Sequence, residues 1–178
     1  MELRDLLESR IRDVPDWPKP GVVFKDISPL LADQQAFGAL VEALADQCTA
    51  VGVDKVVGIE ARGFILAAPV AFRTGAGFVP VRKMGKLPCA TYAENYELEY
   101  GSATLEVHQD AFVAGDRVLV IDDVLATGGT VGATIELIRR AGARVVGVSV
   151  LMELGFLGGR ARIEPLLADT AVRSFIEI

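Results

Sequence analysis

Residues 117–142, RVLVIDDVLATGGTVGATIELIRRAG, constrain the fold more than any other part of this chain. Arg117 to Asp122 is a nearly continuous apolar run of Val, Leu and Ile, the pattern of a strand buried on both faces. A glycine-containing turn follows, and Val131 to Ala141 then places apolar residues at helical spacing until Gly142 stops it. Such a strand survives only in a sheet covered on both sides, so helices must flank it. Other segments repeat the pattern. KVVGI (Lys55–Ile59), FVPV (Phe78–Val81) and RVVGVSVLM (Arg144–Met152) read as further buried strands. GFILAAPVAFRTG reads as a helix closed by Gly75. Phe37, Leu40, Val41, Leu44 and Cys48 line one face of another helix, with Asp33 as N-cap and Gly52 as its stop. Leu3, Leu6, Leu7 and Ile11 mark a short amphipathic helix, and PDWPKPG, Pro15–Gly21, is too proline-rich for a helix or a central strand. This alternation predicts an α/β fold around a mostly parallel central sheet.

One stretch departs from it. Arg82 to Val107 turns polar and reads as a mobile loop leading into antiparallel strands around Glu97–Tyr100 and Ala103–Val107. An excursion of that length is either an active-site lid or a plain surface hairpin. With 178 residues the chain has room for about one domain. Its 24 carboxylates outnumber its 18 Lys and Arg, a net charge of −6, which disfavours nonspecific nucleic-acid binding. The longest apolar run, Phe64–Phe72, contains Pro69 and falls far short of the roughly 18 residues of a membrane span. The charged start, MELRDLLESR, lacks the apolar core of a secretion signal. Cys48 and Cys89 form no CxxC site or disulfide framework, and a single histidine, His108, argues against histidine-based zinc. A cytoplasmic location is expected.

The chemistry concentrates in VLVIDDVLATGGT, Val118–Thr130. A buried strand is expected to end in Asp122 and Asp123, with Ala126-Thr127-Gly128-Gly129-Thr130 opening a helix. Ligands of open α/β sheets bind beyond the carboxyl ends of the strands, where this loop must lie. Glycines let backbone approach a phosphate, the helix start offers unpaired N–H donors, and Thr127 and Thr130 add hydroxyls. The acids would repel that phosphate and must meet hydroxyls, a metal or developing positive charge. A ribose diol beside its own 5′-phosphate satisfies both halves. No Gly-Lys-Ser/Thr follows, and no GxGxxG follows the first strand, so neither a P-loop nor a dinucleotide fold is supported. Taken alone, TGGT is also compatible with a tight strand–helix turn.

VLVIDDVLATGGT resembles the 5-phosphoribosyl-1-pyrophosphate (PRPP) motif of the type I phosphoribosyltransferases. PKPGVVFKDISPLL (Pro18–Leu31), GIEARGFILAAPVA (Gly58–Ala71), VPVRKMGKLP (Val79–Pro88) and YELEYGSATLEVH (Tyr96–His108) extend the resemblance to the adenine-specific family, over roughly residues 5–153. The resemblance implies one domain over 1–178, with an N-terminal hood of about 1–32, a flexible lid of about 83–107 and an antiparallel lid hairpin. It also implies a purine-salvage pentosyl transfer in which adenine and PRPP give AMP and pyrophosphate. Mg²⁺ would be carried by PRPP without a direct side-chain ligand, a habit that suits this hard, water-retaining cation.

The same resemblance assigns roles. Asp122 and Asp123 take the ribose hydroxyls and favour oxocarbenium-like charge, while Ala126, Thr127, Gly128, Gly129 and Thr130 hold the 5′-phosphate. Arg82, Lys83 and Lys86, with His108, face the pyrophosphate, although a solvated basic loop would look the same. Some of them can serve a neighbouring subunit, so a homodimer is implied. Arg62 stands by base and pyrophosphate, where a salt bridge with Glu60 or another acid is the simpler alternative. Val22, Phe24 and Lys25 frame the purine, with core packing the alternative for Phe24. Glu99 handles the proton at the purine N7, and Tyr100 in the lid excludes water. A transferase for xanthine, hypoxanthine or guanine, and a non-catalytic PRPP-sensing regulator, are the competing functions. A receiver domain would carry its acid pair near the chain start without a following TGGT.

Overall fold

The computed structural model describes residues 2–98 and 101–178. Their contacts cluster into two compact units, 1–44 and 45–178.

The first unit begins with α1 (Leu3–Glu8), and Leu7 is its buried residue. β1 (Arg12–Pro15) and β2 (Val23–Asp26) follow as a two-stranded antiparallel ribbon, with Val14 opposite Phe24 and Asp13 opposite Lys25. The proline-rich segment between them is the ribbon's turn, since Pro18 and Pro20 have no N–H to give to a strand ladder. Gly21, at φ +85°, donates its N–H to Asp16 at 2.8 Å, and the Trp17 ring meets Phe24 edge-on at 4.4 Å. α2 (Ser28–Ala32) and α3 (Gln34–Val51) complete the order, α3 running across into the second unit. Asp33 caps α3 as expected: its Oδ1 accepts the Gln35 and Ala36 N–H groups, each at 3.0 Å.

The second unit is built on a seven-stranded sheet of order β5-β6-β4-β3-β7-β8-β9. β3 (Lys55–Ile59), β4 (Gly77–Lys83), β7 (Arg117–Leu125), β8 (Arg144–Glu153) and β9 (Val172–Glu177) run parallel, whereas β5 (Thr91–Glu97) and β6 (Ser102–His108) add an antiparallel hairpin beside β4. The intervening helices are α4 (Arg62–Thr74), α5 (Gly129–Arg140) and α6 (Gly159–Leu167). Val57, Val79, Val118, Val120, Ile135 and Ile138 sit in one apolar cluster, all of them buried. A parallel sheet buried on both faces explains the unbroken apolar runs of β3, β7 and β8.

Three expected boundaries move. β7 does not end at Asp122. It continues to Leu125, because β8 pairs with it as far as Leu125 opposite Glu153. The helix after it starts at Gly129, two residues before Val131, since glycine serves there as a first-turn residue. The first hairpin strand is Thr91–Glu97 instead of Glu97–Tyr100: Tyr92 and Tyr96 pack on the core cluster, which fixes the strand's inward face earlier in the chain. β9 and α6, from the C-terminal residues, were not anticipated.

Candidate active site

β3 pairs with β7 only as far as Gly58 opposite Ile121, whereas β8 keeps pairing with β7 to its end. Asp122 and Asp123 therefore sit where β7 has lost one neighbour and kept the other. That gap at the carboxyl edge of a parallel sheet is where such folds bind ligands. The two acids are 8% and 7% exposed. The start of α4 closes against them. Arg62 Nε lies 2.6 Å from Asp123 Oδ2 as an ion pair, although that oxygen receives no aligned hydrogen bond from the described residues. Asp122 Oδ1 accepts the Asp123 N–H at 2.9 Å. Burial, reinforced by the adjacent Asp123 carboxylate, raises the Asp122 carboxyl well above the ordinary carboxylate range, against the weaker pull of Arg62. Gly63 is the residue that allows this approach. A Cβ there would stand 2.9 Å from Asp122 Oδ1 and 3.0 Å from the Ile121 carbonyl.

Past Leu125 the chain turns through Ala126, Thr127 and Gly128 into α5. Gly128 takes φ +81°, the left-handed region that favours glycine, while Gly129 carries no such φ. Val124 to Val131 wrap a recess of about 50 Å³ with the N-terminal turn of α5 in its wall. First-turn N–H groups of a helix have no partner within it, so the recess offers donors to an anion. The Tyr96 ring and the Glu97 carbonyl of the hairpin lie over Gly129, 3.1 and 3.4 Å from where a Cβ would stand. Arg140, late in α5, holds the hairpin through the Ala93 carbonyl at 2.5 Å and the Glu94 carboxylate.

The basic cluster gathers on an acid whose sequence position suggests only a salt bridge to Arg62. Glu60, just after β3, takes Lys86 Nζ at 2.5 Å and the Lys83 N–H at 2.9 Å, with Arg82 Nε at 3.4 Å. Burial alone would raise its carboxyl, but Lys86, the Lys83 N–H and Arg82 outweigh it and hold it below the usual range. Arg62 pairs with Asp123 instead. Its place two residues after Glu60 was legible, but this partner lies 61 residues away in sequence. The side chain of Lys83 is exposed. His108 ends β6 half-buried, and its Nε2 has no hydrogen-bond partner among the described residues. It stands two residues along β6 from Glu106, which lies opposite Arg82 in the β4–β6 register.

In the first unit, Val22 closes the ribbon turn, donating its N–H to the Lys19 carbonyl at 3.3 Å and accepting the Trp17 N–H at 3.2 Å. Phe24 is half-buried on β2, and Lys25 Nζ pairs with Asp13 at 2.7 Å. Glu99 and Tyr100 lie outside the described residues.

Comparison with known proteins shows the family. The family of the phosphoribosyl transferase domain matches residues 30–173. The adenine phosphoribosyltransferase of Streptomyces coelicolor is 65% identical over 176 residues, covering 99% of this chain and 97% of that protein. The crystal structure of adenine phosphoribosyltransferase from Rhodothermus marinus superposes with a TM-score of 0.92 at 50% identity, covering 99% of this chain and 98% of that one. That of Saccharomyces cerevisiae, solved with an imino-altritol bisphosphate and adenine, gives 0.89 at 34% identity, covering 97% and 98%. With its acids in the gap beside β3 and its glycine loop at the start of α5, the chain belongs to the type I phosphoribosyltransferases, in the adenine phosphoribosyltransferase family.

Proposed function

We propose that this protein converts adenine and PRPP to AMP and pyrophosphate. The carrying observation is the buried acid pair in the sheet-edge gap, followed directly by a glycine loop that opens α5. The choice of adenine draws on the relatives. The 5′-phosphate takes the recess of Ala126–Thr130, and Asp122 and Asp123 receive the ribose hydroxyls. As the bond from C1 to pyrophosphate breaks, its electron pair leaves with pyrophosphate and positive charge grows on the ribose, where buried carboxylates favour it. The purine nitrogen then bonds to C1, and Glu99 accepts the proton shed through N7. Arg62, Arg82, Lys83 and Lys86 neutralise the departing pyrophosphate, joined by His108 from the end of β6. Lys86 and Arg82 must then exchange Glu60 for phosphate oxygens, so Glu60 keeps their charges in place between turnovers. Phe24 offers the purine an apolar face, flanked by Val22 and Lys25, and Tyr100 excludes water.

The donor set suits Mg²⁺ brought in on PRPP. Two adjacent buried carboxylates are present, one oxygen of which receives no aligned hydrogen bond, and the described residues form no cluster of three or more metal-ligating groups. When bound, Mg²⁺ supplies charge neutralisation on the pyrophosphate oxygens. A cytoplasmic setting accords with Cys48 and Cys89, both free thiols, and no helix among the described residues is long and apolar enough to cross a membrane. The acidic charge gives no footing for nucleic acid.

A homodimer is part of the proposal. Ile65, Ala68 and Phe72 form an exposed stripe at helical spacing on α4, and Phe72 is 91% exposed, unusual for so large an apolar side chain. Sedimentation of wild type is expected to give twice the chain mass, and Phe72→Glu to give the monomer. A wild-type monomer, or an intact dimer in the variant, would contradict the assignment. The activity itself is tested by incubating radiolabelled adenine with PRPP and Mg²⁺. Labelled AMP is expected, and its absence, with labelled hypoxanthine or guanine converted instead, would replace adenine by a 6-oxopurine.

A further inference from the structure

The loop that forms the recess is backed by a part of the chain outside VLVIDDVLATGGT. α6 begins at Gly159, after Gly158 at φ +70°. The contact between this turn and the loop is backbone against backbone. A Cβ on Gly159 would overlap the Ala126 carbonyl oxygen, and would stand 3.0 Å from both the Ala126 carbonyl carbon and the Gly128 nitrogen. Conversely, a Cβ on Gly128 would stand 2.7 Å from the Gly159 oxygen, and 3.2 Å from both its Cα and Ile163 Cγ2. Only glycine at both positions permits this approach.

The contact has a directional consequence. The Ala126 carbonyl is aimed at Gly159, and the Ala126–Thr127 peptide is trans, since the cis bonds lie elsewhere. In a planar trans peptide the N–H points opposite to the C=O, so the Thr127 N–H is turned away from α6. The recess is lined by Val124–Val131, Ala126 and Thr127 included, and by no residue of α6. A contact that fixes the carbonyl therefore also fixes the direction of an N–H donor in the wall of the recess.

Arg160 fixes the turn that does the pressing. Its Nε reaches both Glu153 oxygens at 3.0 and 3.1 Å, its Nη1 the Val172 carbonyl at 2.9 Å, and its Nη2 Ser174 Oγ at 3.3 Å. Glu153 is the last residue of β8 and only 6% exposed, while Val172 and Ser174 belong to β9. The neighbouring Leu154 N–H bonds the Leu125 carbonyl at 2.9 Å, which ties the end of β8 to the root of the loop. The guanidinium therefore joins α6 to two strands at once, a forked geometry that lysine cannot reproduce.

We propose that the first turn of α6, fixed by the Arg160–Glu153 pair, is a positioning element of the 5′-phosphate site, with Gly159 orienting the Ala126–Thr127 peptide toward the phosphate. This rests on the reading of Ala126–Thr130 as the phosphate loop. Displacements well under an ångström matter to a cradle of backbone donors, because hydrogen bonds weaken steeply with misalignment.

The test compares Gly159→Ala, Arg160→Lys and Gly129→Val in the full-length protein, by steady-state kinetics, thermal melting and calorimetry with AMP as probe. KM for PRPP is expected to rise by about 10-fold or more in Gly159→Ala and about 3- to 10-fold in Arg160→Lys, with AMP affinity falling in parallel. KM for adenine should stay within about twofold, because the base does not touch this loop. Should Gly159→Ala fail to fold, Arg160→Lys carries the comparison. A lowered melting temperature with unchanged KM for PRPP in the variants of α6, while Gly129→Val raises it, overturns the positioning role and leaves the loop assignment standing. An unchanged KM for PRPP in Gly129→Val overturns the loop assignment itself.

Discussion

Asp122→Asn and Asp123→Asn are each expected to leave a folded protein whose kcat/KM for PRPP falls by about 10² or more, the scale of lost transition-state charge stabilisation. The amide keeps the volume of the carboxyl, so the packing of Gly63 against residue 122 survives. The two variants should differ in stability. Asp123→Asn removes the negative charge that Arg62 Nε meets at 2.6 Å, so it should melt lower. Asp122→Asn should melt at or above wild type near neutral pH, because it removes a carboxyl that burial and Asp123 make costly to ionise. The sign follows from the raised folded-state value. Stability contributed by the Asp122 proton is complete below the ordinary aspartate range and is lost as pH climbs through the raised value. The advantage of Asp122→Asn should therefore grow from acid toward neutral pH and vanish in acid. Wild-type kcat/KM for PRPP should show a rising acid limb as Asp122 ionises, absent in Asp122→Asn. Melting curves at several pH values, beside kinetics on the same preparations, measure both. Wild-type turnover in both variants would remove the acids from the mechanism.

Adenine is expected to be preferred over hypoxanthine and guanine by about 10²–10⁴ in kcat/KM. Adenine presents an amine donor at C6 beside an unprotonated N1 acceptor, and hypoxanthine presents the reverse. Backbone readers can match one pattern only, and each unpaired buried polar group costs about 1–3 kcal/mol, so two mismatches span that range. The structure narrows which backbone could read it. The Val22 N–H is committed to Lys19, so on the proposed reading the donor would come from β2. β2 has β1 on one edge only, and alternate residues of a strand present N–H and C=O together on an open edge. Val22→Ala should then alter affinity modestly without reversing the preference. Phe24→Ala should weaken all purines together by removing the apolar face, and Trp17 cannot compensate because it meets Phe24 edge-on. The decisive measurement is kcat/KM for the three bases on one preparation. Equal use of a 6-oxopurine would defeat adenine specificity while leaving the transferase reading intact.

Much of this was legible in order along the chain. Apolar runs of strand length between amphipathic helices determine the α/β class, because buried parallel strands need no polar face. The acids and the glycine loop were legible because strand, turn and helix start are consecutive. Asp33 and Gly75 act as helix cap and stop through their own side chain or φ, so local chemistry announced them. What the sequence could not decide is which strangers meet. β7 runs on to Leu125 because β8 does, and the gap that houses the acids exists because β3 stops earlier. Lys86 and Arg82 were visible as charge but not as partners of Glu60. Arg62 finds Asp123, and Gly159 finds Ala126, only after the sheet has assembled. Periodicity records which face of an element is buried. Pairing across the fold depends on strand lengths and on close backbone approaches that no single segment contains, and these were settled by the tertiary structure alone.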